Sequence, residues 1–401
     1  MKANKIKPFP LNLRQLFLTS IAQTSPNPIG IQVKKAKGIY IASLDGKRYI
    51  DLISGIAVNN IGHRNDAVVK AVRKQTSKYL HTMVYGEHIQ QPQVRLAQLL
   101  SSLLPENLDT VYFTNSGTEA TEGAMKLAKR YTGRINIVAM KNAYHGSTQG
   151  ALSLMSNEYF SAAFRPLLSG ISFIDFKNIS QLETINKQTA CVFVEIIQSE
   201  AGYIPSDLEF LKALKKRCEE TGTLLVIDEI QTGIGRTGTM FAFEQYGVEP
   251  DILLLAKGLG GGMPIGCFIA NKKLMQSLSE NPVLGHLTTF GGHPVSCASA
   301  IATLEEIISK KMMDSIPRKE QLFRKYLVHP KIKEITGKGL MLGAHLGDEK
   351  LVQEVIAKCF EKGLLIDWFL FNDKALRIAP PLIITEGEIK KVCKIITDSL
   401  E

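Results

Sequence analysis

The chain has 401 residues, of which 45% are hydrophobic and 21% are charged, and its formal net charge is +10 at pH 7. This length and composition indicate a globular protein of two or three domains, and the sequence has no apolar run long enough for a membrane-spanning helix. The lysines are spread along the chain and form no long basic run, so nucleic-acid binding is not expected.

The six cysteines are widely spaced and include no Cys-x-x-Cys pair. This spacing is typical neither of a zinc site nor of a disulfide framework, so we expect reduced thiols and no bound metal. The start of the chain is basic, but the apolar residues 16–18 are too few for the core of a signal peptide. The expected location is therefore the cytoplasm.

Apolar runs alternate with amphipathic stretches in the middle of the chain. The runs that predict strands are residues 111–114, 135–140, 190–195, 224–228, 252–256 and 267–270. Apolar residues at helical spacing predict one helix that includes residues 124–131 and another over residues 208–220. Near-continuous apolar strands that alternate with helices predict an α/β domain, with a parallel-rich sheet covered on both faces.

The two ends of the chain have a different pattern, with short strand signals at residues 38–42 and, past residue 305, helical stretches that alternate with short apolar segments. We interpret these ends as smaller α+β units beside the central domain. The predicted boundaries are residues 1–60 for an N-terminal part of the small domain, 61–304 for the large domain and 305–401 for the C-terminal small domain.

Two ionisable residues each end one of the apolar runs. Asp228 follows residues 223–227, and Lys257 follows residues 252–256. A charge in this position often only marks the point where a buried strand meets solvent. The alternative is that the acid and the amine contact opposite ends of one small ring.

Residues 114–120 follow a predicted strand and open a predicted helix. Ser116 and Glu119 have the spacing of a capping box, and Gly117 allows a tight turn with free backbone N–H groups. This helix start is either an ordinary cap or a binding site for a phosphate group.

Residues 233–238 match the pattern G-x-G-x-x-G, which can indicate dinucleotide binding. Here residues 229–232 separate the glycines from the preceding strand, and the next predicted strand follows too soon for a crossover helix. We therefore do not interpret the match as a dinucleotide site.

Residues 227–238 and 256–266 together resemble the class III pyridoxal-phosphate-dependent aminotransferases of the ornithine, acetylornithine and 4-aminobutyrate type. The resemblance extends from residues 45–59 to residues 376–381. It implies fold type I of the pyridoxal-phosphate-dependent transferases, with a large, mostly parallel, seven-stranded sheet flanked by helices and a smaller α+β domain from both chain ends. Residues 61–304 would then bind the cofactor, pyridoxal 5'-phosphate.

The resemblance also implies a role for each matching residue. Lys257 stands where the family's lysine binds the cofactor aldehyde, and Asp228 stands where a carboxylate keeps the pyridine nitrogen protonated. The other implied cofactor contacts are Ser116, Gly117 and Thr118 at the phosphate, Tyr144 stacked on the ring, the adjacent His145, Ile230 on the opposite face, Gln231 at the ring hydroxyl, and Thr289, which reaches the phosphate from a partner subunit. A homodimer is therefore expected, and no catalytic role is assigned to His145.

Glu200 and Arg377 match a pair that forms a carboxylate gate in ornithine- and 4-aminobutyrate-type members. A closed gate neutralises Arg377 and admits an uncharged or amino-bearing donor, whereas an open gate lets Arg377 bind a dicarboxylate, which favours 2-oxoglutarate as acceptor. The alternative, which only the resemblance argues against, is that Glu200 and Arg377 are two unconnected surface charges.

Ser147 departs from the ornithine, acetylornithine and 4-aminobutyrate types, which usually have an arginine here that anchors a substrate carboxylate. Residues 145–148 look more like some ω-amine transaminases. Loss of one charge-assisted contact could weaken carboxylate binding by roughly 1.5–3 kcal/mol, unless another residue substitutes.

The expected function is transfer of a terminal amino group from a small amino acid or amine to an oxo acid such as 2-oxoglutarate or pyruvate. One alternative is an amino-acid racemase or aminomutase of the same fold, which would use the same Lys257 and Asp228. Another is a noncatalytic cofactor-binding protein. The expected partners are small molecules and a second copy of the chain, with no nucleic acid and no membrane.

Overall fold

The computed structural model describes residues 12–84 and 86–401, so residues 1–11 of the predicted N-terminal segment lie outside the described part. The helices are α1 (Leu13–Ser20), α2 (Ser54–Ala57), α3 (Asp66–Thr76), α4 (Gln91–Ser102), α5 (Gly117–Thr132), α6 (Gln149–Ser153), α7 (Glu158–Ser161), α8 (Leu208–Thr221), α9 (Lys272–Gln276), α10 (Pro294–Ser309), α11 (Ile316–Tyr326), α12 (Glu349–Glu361) and α13 (Glu386–Leu400). The strands are β1 (Val33–Lys37), β2 (Tyr40–Ser43), β3 (Arg48–Asp51), β4 (Thr110–Thr114), β5 (Asn136–Met140), β6 (Ile171–Ile174), β7 (Thr189–Glu195), β8 (Ile197–Gln198), β9 (Ile204–Pro205), β10 (Leu224–Asp228), β11 (Ile252–Leu255), β12 (Gly266–Ala270), β13 (Glu334–Lys338), β14 (Met341–His345), β15 (Leu364–Leu365), β16 (Asp367–Phe369) and β17 (Asn372–Ile378). Short 3-10 helices cover Ala162–Phe164, Ile179–Thr184, Ala242–Gln245, Lys257–Gly260 and Met312–Ser315.

A seven-stranded sheet forms the centre of the molecule, in the order β4-β12-β11-β10-β7-β5-β6. The strands from β11 to β6 are parallel to one another, whereas β12 is antiparallel to both β11 and β4. Because β12 is reversed relative to both neighbours, β4 runs in the same direction as the parallel strands. The carboxyl ends of six strands therefore lie at one edge of the sheet, the usual place for a ligand in such folds.

The predicted strands of this sheet are confirmed, with ends that differ from the observed ones by no more than one residue. The second predicted helix is also found, as α8. The strand β6 was not predicted, because it is a short edge strand in which Ser172 is exposed and interrupts the apolar run. The predicted fold class, a large mostly parallel sheet with smaller α+β parts at both ends, is confirmed.

Two smaller, four-stranded sheets lie beside the large one, in the orders β1-β2-β3-β15 and β13-β14-β17-β16, and β8 and β9 form a separate two-stranded sheet. The strand β15 pairs in parallel with β3, so the first of these sheets is built from both ends of the chain. Apolar residues of α11, α12 and α13 share a core cluster with strands of both small sheets. The domain boundaries at residues 60 and 304 stay predictions.

The large sheet is covered on both faces, as the sequence predicts. On β10, Leu225 and Ile227 pack in a core cluster with apolar residues of α8 and α10, while Val226 packs in a second cluster with α5. Every residue of β7 is buried, which is typical of a central parallel strand. Helix packing on both faces leaves the edge at the strand ends as the accessible part of the sheet.

The glycine-rich segment 233–238 connects three parts of the chain. Arg236 is fully buried, and its guanidinium group donates hydrogen bonds to the backbone carbonyls of Leu340 and Pro380 and to the side-chain oxygen of Asn60. Arg236 thus links the N-terminal and C-terminal segments to the loop that follows β10. This structural role explains the glycine-rich pattern of residues 233–238, and no bound dinucleotide is needed to explain it.

Replacement of Arg236 by methionine is expected to lower the free energy of unfolding by roughly 3 kcal/mol or more, because each buried acceptor left without a donor costs about 1–3 kcal/mol. Chemical denaturation followed by circular dichroism measures the change. Arg318→Met is the control, since this side chain is 60% exposed and a surface ion pair contributes about 1 kcal/mol at most. Equal losses for the two variants would contradict the assigned role of Arg236.

Among the helices of residues 12–84 and 86–401, none is both long enough and apolar enough to cross a membrane.

Candidate active site

Asp228 is the last residue of β10 and lies at the edge where the parallel strands end. Its Oδ1 accepts a hydrogen bond from the backbone N–H of Ile230 at 2.9 Å, and its Oδ2 lies 2.8 Å from Nδ1 of His145. Glu195, the last residue of β7, is its register partner on the neighbouring strand. The side chains of Asp228, His145 and Glu195 are all buried, so two carboxylates and an imidazole share one region of low dielectric.

Burial and charge shift the protonation of this group. Burial raises the pKa of Glu195 to about 7, although the charge of His145 and hydrogen bonds from Ser199 act in the opposite direction. Burial alone would lower the pKa of His145, but its hydrogen bond to Asp228 and the charges of Asp228 and Glu195 raise the pKa above its ordinary value. A protonated His145 would therefore form an ion pair with Asp228 through Oδ2 of the carboxylate.

Lys257 begins a 3-10 helix two residues after β11 ends. Because β11 is the parallel neighbour of β10, Lys257 and Asp228 come to the same edge of the sheet, and both line one cavity. The backbone φ of Lys257 is 42°, a left-handed value that is uncommon outside glycine and often found at functional sites. Burial lowers the pKa of the Lys257 amine, while the charges of Glu200 and Asp228 act against this, so the neutral, nucleophilic form is more accessible than for an ordinary lysine.

The first turn of α5 borders the same cavity. Ser116 is the N-cap residue, and its hydroxyl oxygen accepts a hydrogen bond from the N–H of Glu119 at 3.3 Å. The Glu119 carboxylate accepts from the N–H of Asn115 at 2.6 Å, so only one half of the expected capping box forms. Ser116, Gly117 and Thr118 line the cavity at the positive end of the helix dipole, an arrangement that suits a phosphate group.

The cavity between these elements has a volume of about 510 Å³, which is enough for a small organic cofactor. The structure brings nearly all of the predicted cofactor-binding residues together here. The predicted site residues that line it are Ser116, Gly117, Thr118, Tyr144, His145, Ser147, Asp228, Ile230, Gln231 and Lys257.

Features of the cavity wall test whether pyridoxal phosphate fits. The side-chain amide of Gln231 is buried, and neither its oxygen nor its nitrogen has a hydrogen-bond partner in the described part of the chain, which leaves both for a ligand. A Cβ atom at Gly117 would lie 2.8 Å from Cδ1 of Ile230, so the glycine allows Ile230 to lie against the helix start. An amine, a carboxylate and a helix N-terminus around one cavity match the aldehyde, ring nitrogen and phosphate of this cofactor.

A second cavity, of about 460 Å³, adjoins the first, and Tyr144 and Lys257 line both. Glu200 and Arg377 also line the second cavity and form a bidentate ion pair, with N–O distances of 2.7 and 3.2 Å. Their side chains are 5% and 3% exposed, respectively. The alternative that they are unconnected surface charges is therefore wrong, while their role as a gate stays a prediction.

Ser147 and Thr289 occupy different settings. The hydroxyl of Ser147 lies 3.0 Å from that of Tyr144, at the wall of the first cavity. Thr289 is exposed and is not among the described residues that line either cavity. The predicted contact of Thr289 with the phosphate group of a partner subunit stays a prediction.

Two carboxylates near the cavities were not singled out from the sequence. Glu195 ends an apolar run in the same way as Asp228, so the same strand-end signal could have identified it. Asp367 is the register partner of Arg377 on the neighbouring strand, with its Oδ1 3.4 Å from Nε. A register shift between β16 and β17 makes this second pairing hard to predict from spacing.

The turn α2 forms part of the wall of the second cavity. Ser54, Gly55, Ile56 and Ala57 have φ values of 54°, 65°, 61° and 60°, so this is a left-handed turn, which costs roughly 1–2 kcal/mol for each L-residue. The Asp51 carboxylate accepts a hydrogen bond from the N–H of Ser54 at 2.9 Å and helps to hold the turn. Gly55 and Ile56 line the cavity.

The fold and the site define the class of pyridoxal-phosphate-dependent transferases that are built on a large, mostly parallel sheet. Residues 21–400 match the family described as aminotransferase class-III. The chain belongs to this family and is a pyridoxal-phosphate-dependent aminotransferase. The predicted family, enzyme class and cofactor are confirmed.

Relatives of the chain bear the names of several aminotransferases. The chain is 39% identical to the acetylornithine aminotransferase of Archaeoglobus fulgidus, over 91% of this chain and 94% of that protein. It is 38% identical to the putrescine aminotransferase of Pectobacterium atrosepticum, over 89% of this chain and 79% of that protein. The ornithine aminotransferase of Toxoplasma gondii has a similar structure, with a TM-score of 0.89 and 28% identity over 96% of this chain and 92% of that chain. These relatives share a reaction class, but the substrates in their names differ.

Proposed function

We propose that this aminotransferase moves a terminal amino group from a small amine or amino acid to an oxo acid such as 2-oxoglutarate or pyruvate. The observation that carries the proposal is the position of Lys257 and Asp228 at one edge of the sheet, around one cavity. Acetylornithine and putrescine, which appear in the names of relatives, both have a primary amine at the end of a short carbon chain.

Lys257 would act as the amine that holds the cofactor and as the base that moves a proton. Bound pyridoxal phosphate supplies an aldehyde that condenses with amines and a ring that delocalises the electrons of a broken C–H bond. Nζ of Lys257 would hold the cofactor aldehyde and, when a substrate amine takes its place, would accept and later release the proton of the carbon beside the substrate nitrogen. The lowered pKa of Lys257 favours the neutral amine that this exchange requires.

The other predicted residues would orient the cofactor for these steps. Asp228 would hold the proton of the ring nitrogen, and His145 would position the Asp228 carboxylate through its contact with Oδ2. The remaining proposed contacts are Ser116, Gly117 and Thr118 with the phosphate, Tyr144 and Ile230 with the two ring faces, and Gln231 with the ring hydroxyl.

The Glu200–Arg377 ion pair supports a gate that serves two kinds of substrate. While the pair is closed, the guanidinium group is neutralised and a donor without a carboxylate fits beside it. When Glu200 moves away, Arg377 can bind a carboxylate of the oxo acid. Ser147 lacks the positive charge that would anchor a donor carboxylate, and this favours amine donors.

A donor panel tests the proposed function. Primary amines and ω-amino acids are added to the holoenzyme, and absorbance measures its conversion to the pyridoxamine form. Pyruvate and 2-oxoglutarate are then compared as oxo acids that convert the enzyme back to its starting form. We expect rapid conversion by terminal amines and recovery with at least one oxo acid. Isomerisation of an amino acid with no consumption of oxo acid, or no conversion by any donor, would contradict the proposal.

We also propose that the working enzyme is a homodimer in which Thr289 reaches the phosphate of the other subunit. Thr289 is exposed, and exposed apolar side chains flank it in the same segment, namely Val283, Leu284, Leu287 and Phe290. Apolar surface of this kind is common where two proteins associate.

Mixed dimers of Lys257→Ala and Thr289→Val chains are expected to recover activity at limiting cofactor. In a twofold dimer, one of the two sites in each mixed dimer has both Lys257 and Thr289, so equal mixing should restore about a quarter of wild-type activity. Activity and cofactor affinity are measured before and after the chains are unfolded together and refolded. If the refolded mixture is no more active than the mean of the two unmixed variants, Thr289 does not contribute to the site of the other subunit.

We propose that the enzyme acts in the cytoplasm. All six cysteines are buried and unpaired, which supports a reducing compartment.

A further inference from the structure

The second cavity has one negatively charged side chain, Asp367, in addition to the Glu200–Arg377 pair. The charges of Glu200 and Arg377 cancel, and under the proposed function Lys257 would hold the cofactor in the resting enzyme. Asp367 also lines this cavity, and no other charged side chain does so among the described lining residues. With Ser147 uncharged, the part of the cavity away from the cofactor has a net charge of −1 when Asp367 is ionised.

Hydrogen bonds within the described part of the chain do not satisfy one oxygen of the Asp367 carboxylate, Oδ1. Its Oδ1 lies 3.4 Å from Nε of Arg377, yet neither atom has a hydrogen-bond partner in the described part of the chain. The two terminal nitrogens of Arg377 are already engaged, with the Glu200 carboxylate and the carbonyl of Trp368. An unpartnered carboxylate oxygen is costly. The Asp367 side chain as a whole is 18% exposed and lines the cavity, so a cationic group of a substrate in the cavity would offset this cost.

The charge environment of Asp367 favours a cation as that donor group. Burial raises the pKa of Asp367 to about 7, with Arg377 acting against this rise and Glu200 adding to it. An ammonium group beside Asp367 would offset the loss of solvation, whereas a second carboxylate would be repelled. Trp368 and Leu370 line the same cavity and provide apolar surface for the methylene groups of a substrate.

We propose that Asp367 is a specificity-determining residue that selects amino donors with a positively charged far end, such as a short diamine, over donors with a carboxylate there. This inference rests on the proposed function of the two cavities. One amine of the donor would take the place of the Lys257 amine on the cofactor while the other pairs with Asp367, because both side chains line the same cavity.

Donors that differ only at the far end test the inference. We compare 1,4-diaminobutane, pentylamine and 5-aminopentanoate as donors for the wild-type holoenzyme and for Asp367→Asn. The wild type should have a kcat/KM for the diamine at least about tenfold above that for pentylamine, as expected for a charge-assisted contact. In Asp367→Asn this ratio should fall about tenfold, mainly through KM.

Two further variants separate charge from folding. Asp367→Glu keeps the carboxylate and should retain most of the preference for the diamine, even if Asp367→Asn is poorly folded. Asp373→Asn removes one charge from the adjacent strand β17 without altering a residue that lines the cavity, and should leave the ratio unchanged. The inference would be overturned if the wild type had equal kcat/KM values for the diamine and for pentylamine. It would also be overturned if Asp367→Asn left the ratio of these two values unchanged. In both cases the proposed function would stand. Conversion by none of the donors would defeat both.

Trp368 provides a readout that does not depend on turnover. It is the single tryptophan of the chain and it lines the second cavity. A diamine with two tertiary nitrogens cannot condense with the cofactor, so its effect on tryptophan fluorescence reports binding alone. Its Kd for the holoenzyme should rise about tenfold in Asp367→Asn, and an equal Kd in the two proteins would count against the inference.

Discussion

Replacement of Lys257 by alanine is expected to remove the visible absorption of the lysine-bound cofactor and to lower turnover by roughly 10²–10⁴-fold or more. The expected loss is large because one side chain would perform two tasks, the covalent attachment of the cofactor and the movement of the proton. Absorption spectra of the purified protein and single-turnover measurements with a terminal amine check both effects.

Lys272→Ala is the matched control for this change. Lys272 is an exposed lysine at the start of α9, and its replacement should leave the spectrum and the turnover as they are. Partial recovery of Lys257→Ala by an added small primary amine would show that the missing group, and not a damaged fold, causes the loss. A Lys257→Ala protein with a normal spectrum and normal turnover would defeat the assignment.

Replacement of Asp228 by asparagine is expected to slow the half-reaction with an amine by roughly 10- to 1000-fold, which corresponds to a charge interaction of one to three pKa units. Asparagine preserves the shape of the side chain but removes the charge that would keep the ring nitrogen protonated. The same change should lower the pKa of His145, because the hydrogen bond and charge of Asp228 raise it. Stopped-flow absorbance measures the rate, and NMR titration of the imidazole measures the pKa.

Asp251→Asn is a useful control for Asp228→Asn. The Asp251 carboxylate accepts a hydrogen bond from the N–H of Leu225 at 2.7 Å, at the other end of β10. We expect this control to reduce stability while the half-reaction keeps its rate. If both variants slowed the half-reaction equally, a general weakening of β10 would explain the loss better than a role for Asp228 at the ring nitrogen.

The centre of the fold could be predicted from the sequence because its strands are buried on both faces. A strand such as β7, in which every residue is buried, appears as a continuous apolar run, and the charge that ends such a run lies at the edge where ligands bind. Asp228 and Lys257 were identified on this basis, although their proposed roles came from the family resemblance. The edge strand β6 lacks this signal, since a partly exposed strand of four residues resembles many loops.

The environment of Arg377 could not be predicted in the same way. Its pairing with Glu200 was expected only from the resemblance, because 177 positions separate the two residues. Its pairing with Asp367 depends on the register of β16 and β17, which shifts next to Trp368. Long-range contacts and shifted registers are set by packing, and neither hydrophobic periodicity nor motif spacing reports them.

The left-handed turn at Ser54–Ala57 limits how the substrate range of this enzyme could evolve or be engineered. One wall of the second cavity owes its shape to backbone conformation, and left-handed backbone is tolerated well only by glycine and, to a lesser degree, by asparagine and aspartate. Most bulkier residues introduced at Gly55 would add strain before they altered selectivity. Libraries aimed at new donors should therefore place their diversity at Trp368 and Leu370, which line the same cavity and do not have the positive φ values of the turn.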